Sequence, residues 1–387
     1  MKRLPAISLI LIALLLISSF QNLPTVHGQT EDVNYFIRST VTYANPSGNT
    51  HVWSFSEDDQ AISLFMNNTW QTVELVNSTF PMGTKKDDDG NSVAVLQFPN
   101  SALESGKNVS FTVWYHIVSK PRTIANISED TSGNLTDIPS DLRSGYTQEE
   151  GPWQTSNSTL QELAYNLTKN EVRVLSIIQN FVVWINENIK YPWISRHEVP
   201  FYPNQTYAQG EGDCDDQATL LITLCRIVGI PSYLQIGCIY LPKQPFNNAT
   251  FWDGHVSMIE RRIGWHGWAV VYVPPWGWLP VDLTYVRNNS DDPLNSVKSG
   301  AVTGQNTIQY MNVTHTNYVA SSLKYKNFLT ENGFNVYEED EMILEVNQPR
   351  LPLFPLFFLA LMVFLVATSV LLYRRWVRES VRRGTGF

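Results

Sequence analysis

Short runs in which apolar and polar residues alternate dominate the chain from about residue 33 to residue 118. Gly, Pro, Asn and Asp separate these runs, as they do at Asn45-Pro46-Ser47-Gly48 and Asp89-Gly90-Asn91. Many short strands joined by such turns are typical of a β-sandwich of immunoglobulin-like type. We therefore predict a β-sandwich domain over residues 29–120, followed by a polar, proline-containing linker over residues 121–150.

Helical spacing of apolar residues replaces this alternation further along the chain. It predicts one helix from Glu171 to Ile189, and a second that begins at or next to Cys214 and ends before Gly229. Two apolar strands on either side of a turn at residues 274–277 predict a hairpin. A last helix is expected from Tyr318 to Leu329, where Asn332-Gly333 would stop it.

The acidic run at residues 87–91 is similar to the start of a calcium-binding loop. Phe98, however, stands where such a loop needs its acidic twelfth ligand. Asp-Gly-Asn between two strands is also a strong turn signal. We therefore predict a hairpin turn at this position, and we predict no metal site and no cofactor for the chain.

The two ends of the chain carry membrane-targeting patterns. Lys2 and Arg3 precede a short apolar run and compact residues up to Gly28, which predicts a cleaved signal peptide over residues 1–28. Residues 351–373 hold no charge and are long enough to cross a bilayer as one transmembrane helix. Arginines follow this segment at once, so the tail at 374–387 is expected in the cytoplasm and the large preceding part outside the cell.

Charge and glycosylation signals agree with an extracellular location. The net charge is −9, with an acidic body between basic ends, and this excludes nucleic acid as a partner, because phosphate binding needs clustered Lys and Arg. The motif Asn-x-Ser/Thr occurs eleven times, always between the predicted signal peptide and the predicted membrane segment. The acceptors are Asn67, Asn77, Asn108, Asn126, Asn134, Asn157, Asn166, Asn204, Asn248, Asn288 and Asn312.

Cys214 is the candidate nucleophile. It lies at or next to a predicted helix N-terminus, where free backbone amides and the positive end of the helix dipole favour a thiolate. Its acidic neighbours Asp213, Asp215 and Asp216 oppose the thiolate if they approach the sulfur, and help if they only cap the first turn of the helix. A cationic histidine partner would then decide the balance.

The two other cysteines leave two interpretations open. Cys214 and Cys225 lie eleven residues apart on one predicted helix, about 16 Å along its axis, and so cannot form a disulfide. Cys225 and Cys238 could pair outside a cell, or could be two buried thiols.

His266 is the histidine whose context best fits a base for this thiol. It starts one strand of the predicted hairpin, and Asp282 lies near the end of the other. Neighbours across a hairpin can place a carboxylate against an imidazole and fix its tautomer and orientation. His197 and His255 are the remaining candidates in this part of the chain.

Three ordered segments together resemble the transglutaminase-like superfamily. Residues 212–218 (GDCDDQA), with their helix and Gly229-Ile230-Pro231, are similar to its nucleophile segment, and residues 266–271 and 278–282 look like its histidine and aspartate strands. The resemblance covers roughly residues 155–290 and is to prokaryotic, membrane-anchored members. It implies a papain-related α+β fold for residues 151–345, including a C-terminal extension, with a catalytic triad of Cys214, His266 and Asp282. The link Leu279-Pro280-Val281 is longer than is common before the aspartate.

The implied chemistry is acyl transfer through a thioester. Cys214 would attack a carboxamide or peptide carbonyl, His266 would carry the proton to the leaving amine, and Asp282 would orient His266. The Cys214 backbone N–H would hold the oxyanion, with Gln209 or Tyr207 as a second donor.

We favour a peptidase or amidase that acts on a protein or peptide substrate at the cell surface, because hydrolysis needs no second substrate site. Two alternatives stay open. One is a protein-crosslinking transglutaminase, and the other is a non-catalytic surface binding or scaffold module with the same fold.

Overall fold

The computed structural model describes residues 31–123, 126–192, 198–285, 292–345 and residue 375. The predicted signal peptide at 1–28, the predicted membrane segment at 351–373 and the predicted tail at 374–387, apart from Arg375, lie outside these residues. Within the described ranges, no helix is both long and apolar enough to span a membrane. The described residues from 31 to 344 belong to one compact unit.

The described strands are grouped in four sheets, with six, four, three and two strands. They are β1 Val33–Asn45, β2 Trp53–Ser54, β3 Ala61–Ser63, β4 Gln71–Ser78, β5 Met82–Lys86, β6 Ser92–Leu96, β7 Ala102–Leu103, β8 Lys107–Ser119, β9 Ser232–Tyr240, β10 Asn247–Phe251, β11 Val256–Arg261, β12 Ile263–Val273, β13 Gly277–Val281, β14 Thr307–Val313 and β15 Asn335–Leu344.

The helices are most frequent in the middle third of the chain. They are α1 Glu57–Gln60, α2 Ser140–Tyr146, α3 Ser158–Leu167, α4 Val174–Asn188, α5 Pro203–Gln209, α6 Cys214–Ile227, α7 Asn295–Lys298 and α8 Tyr318–Asn332. The predicted helices at 171–189, after Cys214 and from Tyr318 correspond to α4, α6 and α8. Gly333 ends α8 in the left-handed conformation, with φ of 69°.

The largest sheet joins strands from the two ends of the described chain, in the order β10-β11-β15-β1-β8-β4. β1 pairs antiparallel with β8 on one side and with β15 on the other. The register between β1 and β15 runs from Tyr35 opposite Leu344 to Ala44 opposite Asn335. β11 runs parallel to β15. The strands expected between residues 33 and 118 are present, but an immunoglobulin-like sandwich is not confirmed, because β1 and β8 share their sheet with strands from the second half of the chain.

The acidic run at 87–91 forms the turn between β5 and β6, as predicted. The Asp87 N–H donates to the Asn91 carbonyl at 3.1 Å. Asp89 Oδ1 accepts hydrogen bonds from the Thr314 N–H at 2.9 Å and from the His315 N–H at 2.6 Å. This carboxylate therefore ties the hairpin to the chain that follows β14.

The four-stranded sheet, in the order β13-β12-β9-β14, carries the hairpin predicted around residues 274–277. Ala269 lies opposite Val281, and Val273 lies opposite Gly277. One face of this sheet packs with α4 and α6 into a core that is fully buried at Leu175, Phe181, Leu221, Ala269 and Val271. The segment predicted as a linker contributes Ile127 and Ile138 to the same core.

Candidate active site

Cys214 occupies the first position of α6, and Asp213 before it caps the helix. The Asp213 side chain accepts a hydrogen bond from the Asp216 backbone N–H, and the Asp213 N–H donates in return to Asp216 Oδ2 at 3.2 Å. This reciprocal capping box fixes the start of the helix. The half-buried Cys214 thiol therefore lies where free amides and the positive end of the helix dipole favour an anion.

His266 and Asp282 come together because the hairpin brings the start of β12 close to the end of β13. His266 Nε2 lies 2.9 Å from Asp282 Oδ2, and both side chains are buried. A carboxylate can only accept, so Nε2 carries the proton and Nδ1 is the unprotonated nitrogen of the neutral ring. The unusual link Leu279-Pro280-Val281 is the last part of β13 and keeps a regular register with β12.

Asp282 is held by its own set of backbone donors. Its Oδ2 accepts from the Ala301 N–H at 2.8 Å, while its Oδ1 accepts from the Thr284 N–H at 3.2 Å and the Tyr285 N–H at 3.1 Å. Burial by itself raises the pKa of this carboxyl group, but the His266 charge and these hydrogen bonds outweigh burial and leave the pKa below its usual range. Asp282 is therefore an ionised, fixed partner for His266.

The structure places the predicted nucleophile against the strand that carries His266. The Cys214 sulfur accepts a hydrogen bond from the backbone N–H of Gly267. A β-carbon at residue 267 would lie 3.2 Å from the Asp215 Cβ, so glycine permits this close approach. Within the described residues no hydrogen bond joins the Cys214 thiol to the His266 imidazole. The sulfur instead accepts from the Gly267 N–H.

The acidic neighbours of Cys214 do approach its sulfur. Burial, followed by the charges of Asp213 and Asp215, raises the pKa of the Cys214 thiol well above its usual range, against the lowering effect of the Gly267 hydrogen bond. The helix dipole therefore does not keep this thiol ionised at rest, which corrects the more favourable of our two expectations for these aspartates. A base would have to take the proton for this sulfur to act as a nucleophile.

Asp213 and Asp215 share a hydrogen bond between their carboxyl groups. Burial, followed by the charges of Asp213 and Asp216, raises the pKa of Asp215 well above its usual range. The Tyr318 hydroxyl also forms a hydrogen bond with Asp215, and lies 2.9 Å from Thr219 Oγ1.

Sequence reasoning missed three contributors to this site: Gly300 and Ala301, which support Asp282, and Tyr318, which supports Asp215. All three lie outside the motifs around Cys214, His266 and Asp282. Ala301 acts through its backbone N–H and Gly300 through the absence of a side chain, so neither leaves a chemical signal in the sequence. The sequence pattern identifies Tyr318 only as the start of a helix.

Tyr207 and Gln209, the two predicted side-chain donors to the oxyanion, lie in different surroundings. The Tyr207 ring stacks on Trp184, with centroids 5.7 Å apart and planes 14° apart, at the edge of the helical core. Gln209 is exposed at the end of α5. The Cys214 backbone N–H, at the first position of α6, belongs to the helix end that lacks intrahelical acceptors.

The other cysteines and histidines lie apart from this site. Cys225 and Cys238 are free, fully buried thiols that belong to different hydrophobic cores, so no disulfide joins them. His255 Nδ1 lies 2.7 Å from the Phe334 carbonyl, and His197 is outside the described residues.

Asp213, Cys214 and Asp215 place their potential ligand atoms within 4.8 Å of one another, which is close enough for one cation. The three residues are consecutive at the start of α6, which already accounts for this proximity. The arrangement as a whole offers a nucleophile, a base on a fixed carboxylate, and amide donors at a helix start. These are the elements of acyl transfer.

The model of the transglutaminase-like superfamily matches residues 161–283, which contain Cys214, His266 and Asp282. This match confirms the resemblance and the mixed α/β transglutaminase-like fold. No curated protein matches the chain significantly.

Several solved structures are similar to the chain at low identity. A candidate cysteine protease from Cytophaga hutchinsonii is 15% identical, with a TM-score of 0.49 over 82% of this chain and 92% of that one. The periplasmic domain of TgpA from Pseudomonas aeruginosa is 13% identical, with a TM-score of 0.35 over 72% and 94%. Red sea bream transglutaminase is 9% identical, with a TM-score of 0.31 over 77% and 61%.

Proposed function

We propose that this chain, whose residues 161–283 form a transglutaminase-like core, is a thiol enzyme that breaks amide bonds through a thioester. One observation carries the proposal. His266 and Asp282 form a buried pair, 2.9 Å apart, and His266 lies on β12, the strand whose Gly267 N–H donates a hydrogen bond to the Cys214 sulfur. A structural histidine would not need a buried ionised carboxylate on one side and a cysteine at a helix start on the other.

The proposed reaction begins from a neutral thiol and a neutral imidazole. His266 accepts the thiol proton on Nδ1 as the sulfur attacks the amide carbonyl, and Asp282 stabilises the resulting imidazolium through Nε2. The tetrahedral intermediate collapses when the C–N bond breaks, and His266 gives its proton to the leaving amine. Water, activated by His266, then attacks the thioester carbonyl and releases a carboxylic acid and the thiol.

Proton transfer within the Cys214–His266 pair matters more here than a preformed thiolate. Burial and the neighbouring carboxylates hold the thiol protonated at rest. Asp282 accepts the hydrogen bond from His266 Nε2 and so stabilises the imidazolium that forms during attack. The site therefore develops its charge separation during attack, when the helix start and backbone amides can stabilise the oxyanion.

We propose hydrolysis of peptide or amide bonds in protein or peptide substrates as the main activity. Hydrolysis needs only water as the second acceptor, whereas crosslinking needs a bound amine. Both reactions share the thioester, so the nature of the acceptor is a question for experiment.

We also propose an extracellular location on a single-pass membrane anchor with a cytoplasmic tail, as the two ends of the sequence predict. Exposure of the glycosylation acceptors supports this. Seven of them are exposed in the described residues: Asn67, Asn77, Asn108, Asn126, Asn134, Asn166 and Asn248.

The decisive experiment traps the thioester. Full-length protein is mixed with a library of glutamine- and asparagine-containing peptides, quenched in acid, and analysed by intact-mass and peptide mass spectrometry. We expect an acyl adduct on Cys214 in the wild type, none in Cys214→Ala, and strongly reduced formation in His266→Ala. His315→Ala is the matched control, because that histidine is exposed and pairs with Glu150.

The reaction products show whether water or an amine accepts the acyl group from the thioester. Release of free acid without an added amine indicates hydrolysis, and incorporation of a fluorescent primary amine indicates crosslinking. If Cys214 reacts neither with the library nor with iodoacetamide, the chain is a non-catalytic surface module and the proposal is wrong.

A further inference from the structure

The acidic residues of β15 alternate between two very different environments. Glu339 and Glu341 lie on one face of the strand and pair with arginines: Arg38 Nη2 is 2.8 Å from Glu339 Oε1, and Arg262 contacts Glu341 at 2.5 Å. Successive side chains of a strand point to opposite faces. Glu338 and Asp340 therefore share the other face with Val336 and Met342, which are fully buried in the core.

Glu338 and Asp340 line a cavity of about 290 Å³ between the six-stranded sheet and β12. Aromatic rings form much of its wall, and the lining in the described residues contains no Lys, Arg or His. The rings are those of Phe65, Phe111, Tyr115, Trp265 and Tyr310.

The two carboxyl groups are unequally supported. Asp340 Oδ2 accepts a hydrogen bond from Trp265 Nε1 at 2.8 Å, and Ser39 donates a second one to this residue. No side chain or backbone group in the described residues donates a hydrogen bond to Glu338. Glu338 is half-buried, so its carboxyl group lines the cavity without a donor of its own and is available to a ligand there.

We propose that this cavity is a binding site for a small organic cation, a primary ammonium group on an aliphatic stem. Carboxylates supply the counter-charge, the aromatic faces attract a cation and cover its stem, and the volume suits a side-chain-sized ligand. Such a group can come from a free alkylamine or from a lysine side chain of a polypeptide.

The site is separate from the proposed catalytic centre. Trp265 lines the cavity, whereas its neighbour His266 points to the opposite face of β12 and bonds Asp282. The proposal therefore does not rest on thiol chemistry, and Cys214→Ala should bind the cation as the wild type does.

The test follows the indole N–H signal of Trp265 by NMR in ¹⁵N-tryptophan-labelled full-length protein, because this N–H bonds Asp340. Trp265→Phe assigns the signal. The probes are n-butylammonium and its neutral analogue n-butanol, then the peptides Gly-Gly-Lys-Gly-Gly and Gly-Gly-norleucine-Gly-Gly. We expect a saturable shift with n-butylammonium and none with n-butanol. A shift with the lysine peptide as well would identify a polypeptide as a competent source.

Matched variants on the same strand separate the site from general charge effects. Glu338→Gln should weaken n-butylammonium binding roughly tenfold or more, whereas Glu339→Gln, on the arginine-paired face, should leave it unchanged. Asp340→Asn serves as the second variant if Glu338→Gln does not fold. Equal binding of n-butanol, equal binding by Glu338→Gln and Glu339→Gln, or no saturable shift with any probe would each overturn the proposal.

Discussion

Gly300 packs directly against Asp282: a β-carbon placed on Gly300 would lie 2.9 Å from the Asp282 Cβ and 3.6 Å from its Oδ2. Real Cβ atoms do not approach another carbon so closely, so any side chain here must displace the aspartate or the loop. The next residue, Ala301, donates its N–H to the same carboxylate at 2.8 Å. The loop at residues 300–301 thus positions Asp282 by contact on one side and by a hydrogen bond on the other.

Gly300→Ala should therefore reduce activity without abolishing folding. A shift of the Asp282 carboxylate by a few tenths of an ångström would misalign His266, and misplacement on the 1 Å scale can cost about 10²-fold in rate. Turnover of the peptide substrate and thermal unfolding would be measured together. Gly83→Ala is the control, because a β-carbon there meets no atom within 4 Å. Unchanged turnover in Gly300→Ala would show that the Asp282 position is not critical.

Asp282→Asn should lower the rate roughly 10³- to 10⁴-fold while the fold survives. The amide keeps the shape of the carboxylate but can donate to Nε2, which would then hold no proton and leave the wrong tautomer facing the thiol. Turnover across pH 5–9 tests this, with exposed Asp253→Asn as the control. A loss of less than tenfold would show that His266 does not depend on the charge of Asp282.

The carboxyl pair beside the thiol predicts a gain of reactivity on neutralisation. In Asp213→Asn with Asp215→Asn the negative charges that raise the pKa of Cys214 are gone, while asparagine still caps the helix. Alkylation of Cys214 by iodoacetamide at pH 7 should then be several-fold faster than in the wild type. Peptide mass spectrometry distinguishes this label from any on Cys225 or Cys238. An unchanged rate would mean that burial alone keeps the thiol protonated.

Glu338 predicts a pH-dependent stability. Burial, then the charge of Asp340, raises its pKa from 4.5 to about 7, so the folded chain binds this proton more tightly than the unfolded chain. Stability contributed by this group is complete below about pH 4.5 and is lost as pH rises to about 7, by up to about 3 kcal/mol. The titratable groups that face it are Tyr43, Tyr310, Tyr325 and Asp340.

Glu338→Gln should consequently stabilise the protein more at pH 8 than at pH 5, because the variant has no proton to lose. Urea unfolding at the two pH values, without added amines, measures the difference. Glu339→Gln, which loses an arginine pair instead, should give no such gain. Equal stabilisation at both pH values would contradict a raised pKa for Glu338.

The elements around the nucleophile, the histidine and the aspartate could be predicted because their signals are local. The Gly229-Ile230-Pro231 stop after α6, the turn at residues 274–277 and the apolar runs of β12 and β13 each lie within a few residues of what they specify. Once the hairpin is given, its register brings Asp282 to His266. The motif resemblance then connects Cys214 to this pair.

The pairing of β1 with β15 could not be predicted in the same way. Alternation shows that residues 33–45 form a strand, but it does not identify a partner some 300 residues further on. The sequence of β15 is also misleading. Glu338-Glu339-Asp340-Glu341 suggests a solvated segment, and only the sheet shows that two of these four acids face a cavity. The role of Ala301 could not be predicted from the sequence either, because this residue contacts Asp282 through a backbone N–H.

The position of β15 has a consequence for the order in which the chain can be completed. Arg38 and its partner Glu339 are separated by 301 residues, so the ribosome releases β1 long before its neighbour β15. Until β15 emerges, β1 can pair with β8 alone, and its other edge stays open to any passing strand. Closing so long a loop is also slow. The nascent chain therefore carries an unfinished sheet from the emergence of β8 until that of β15, and its yield in a cell depends on what shields that edge until residue 344 emerges.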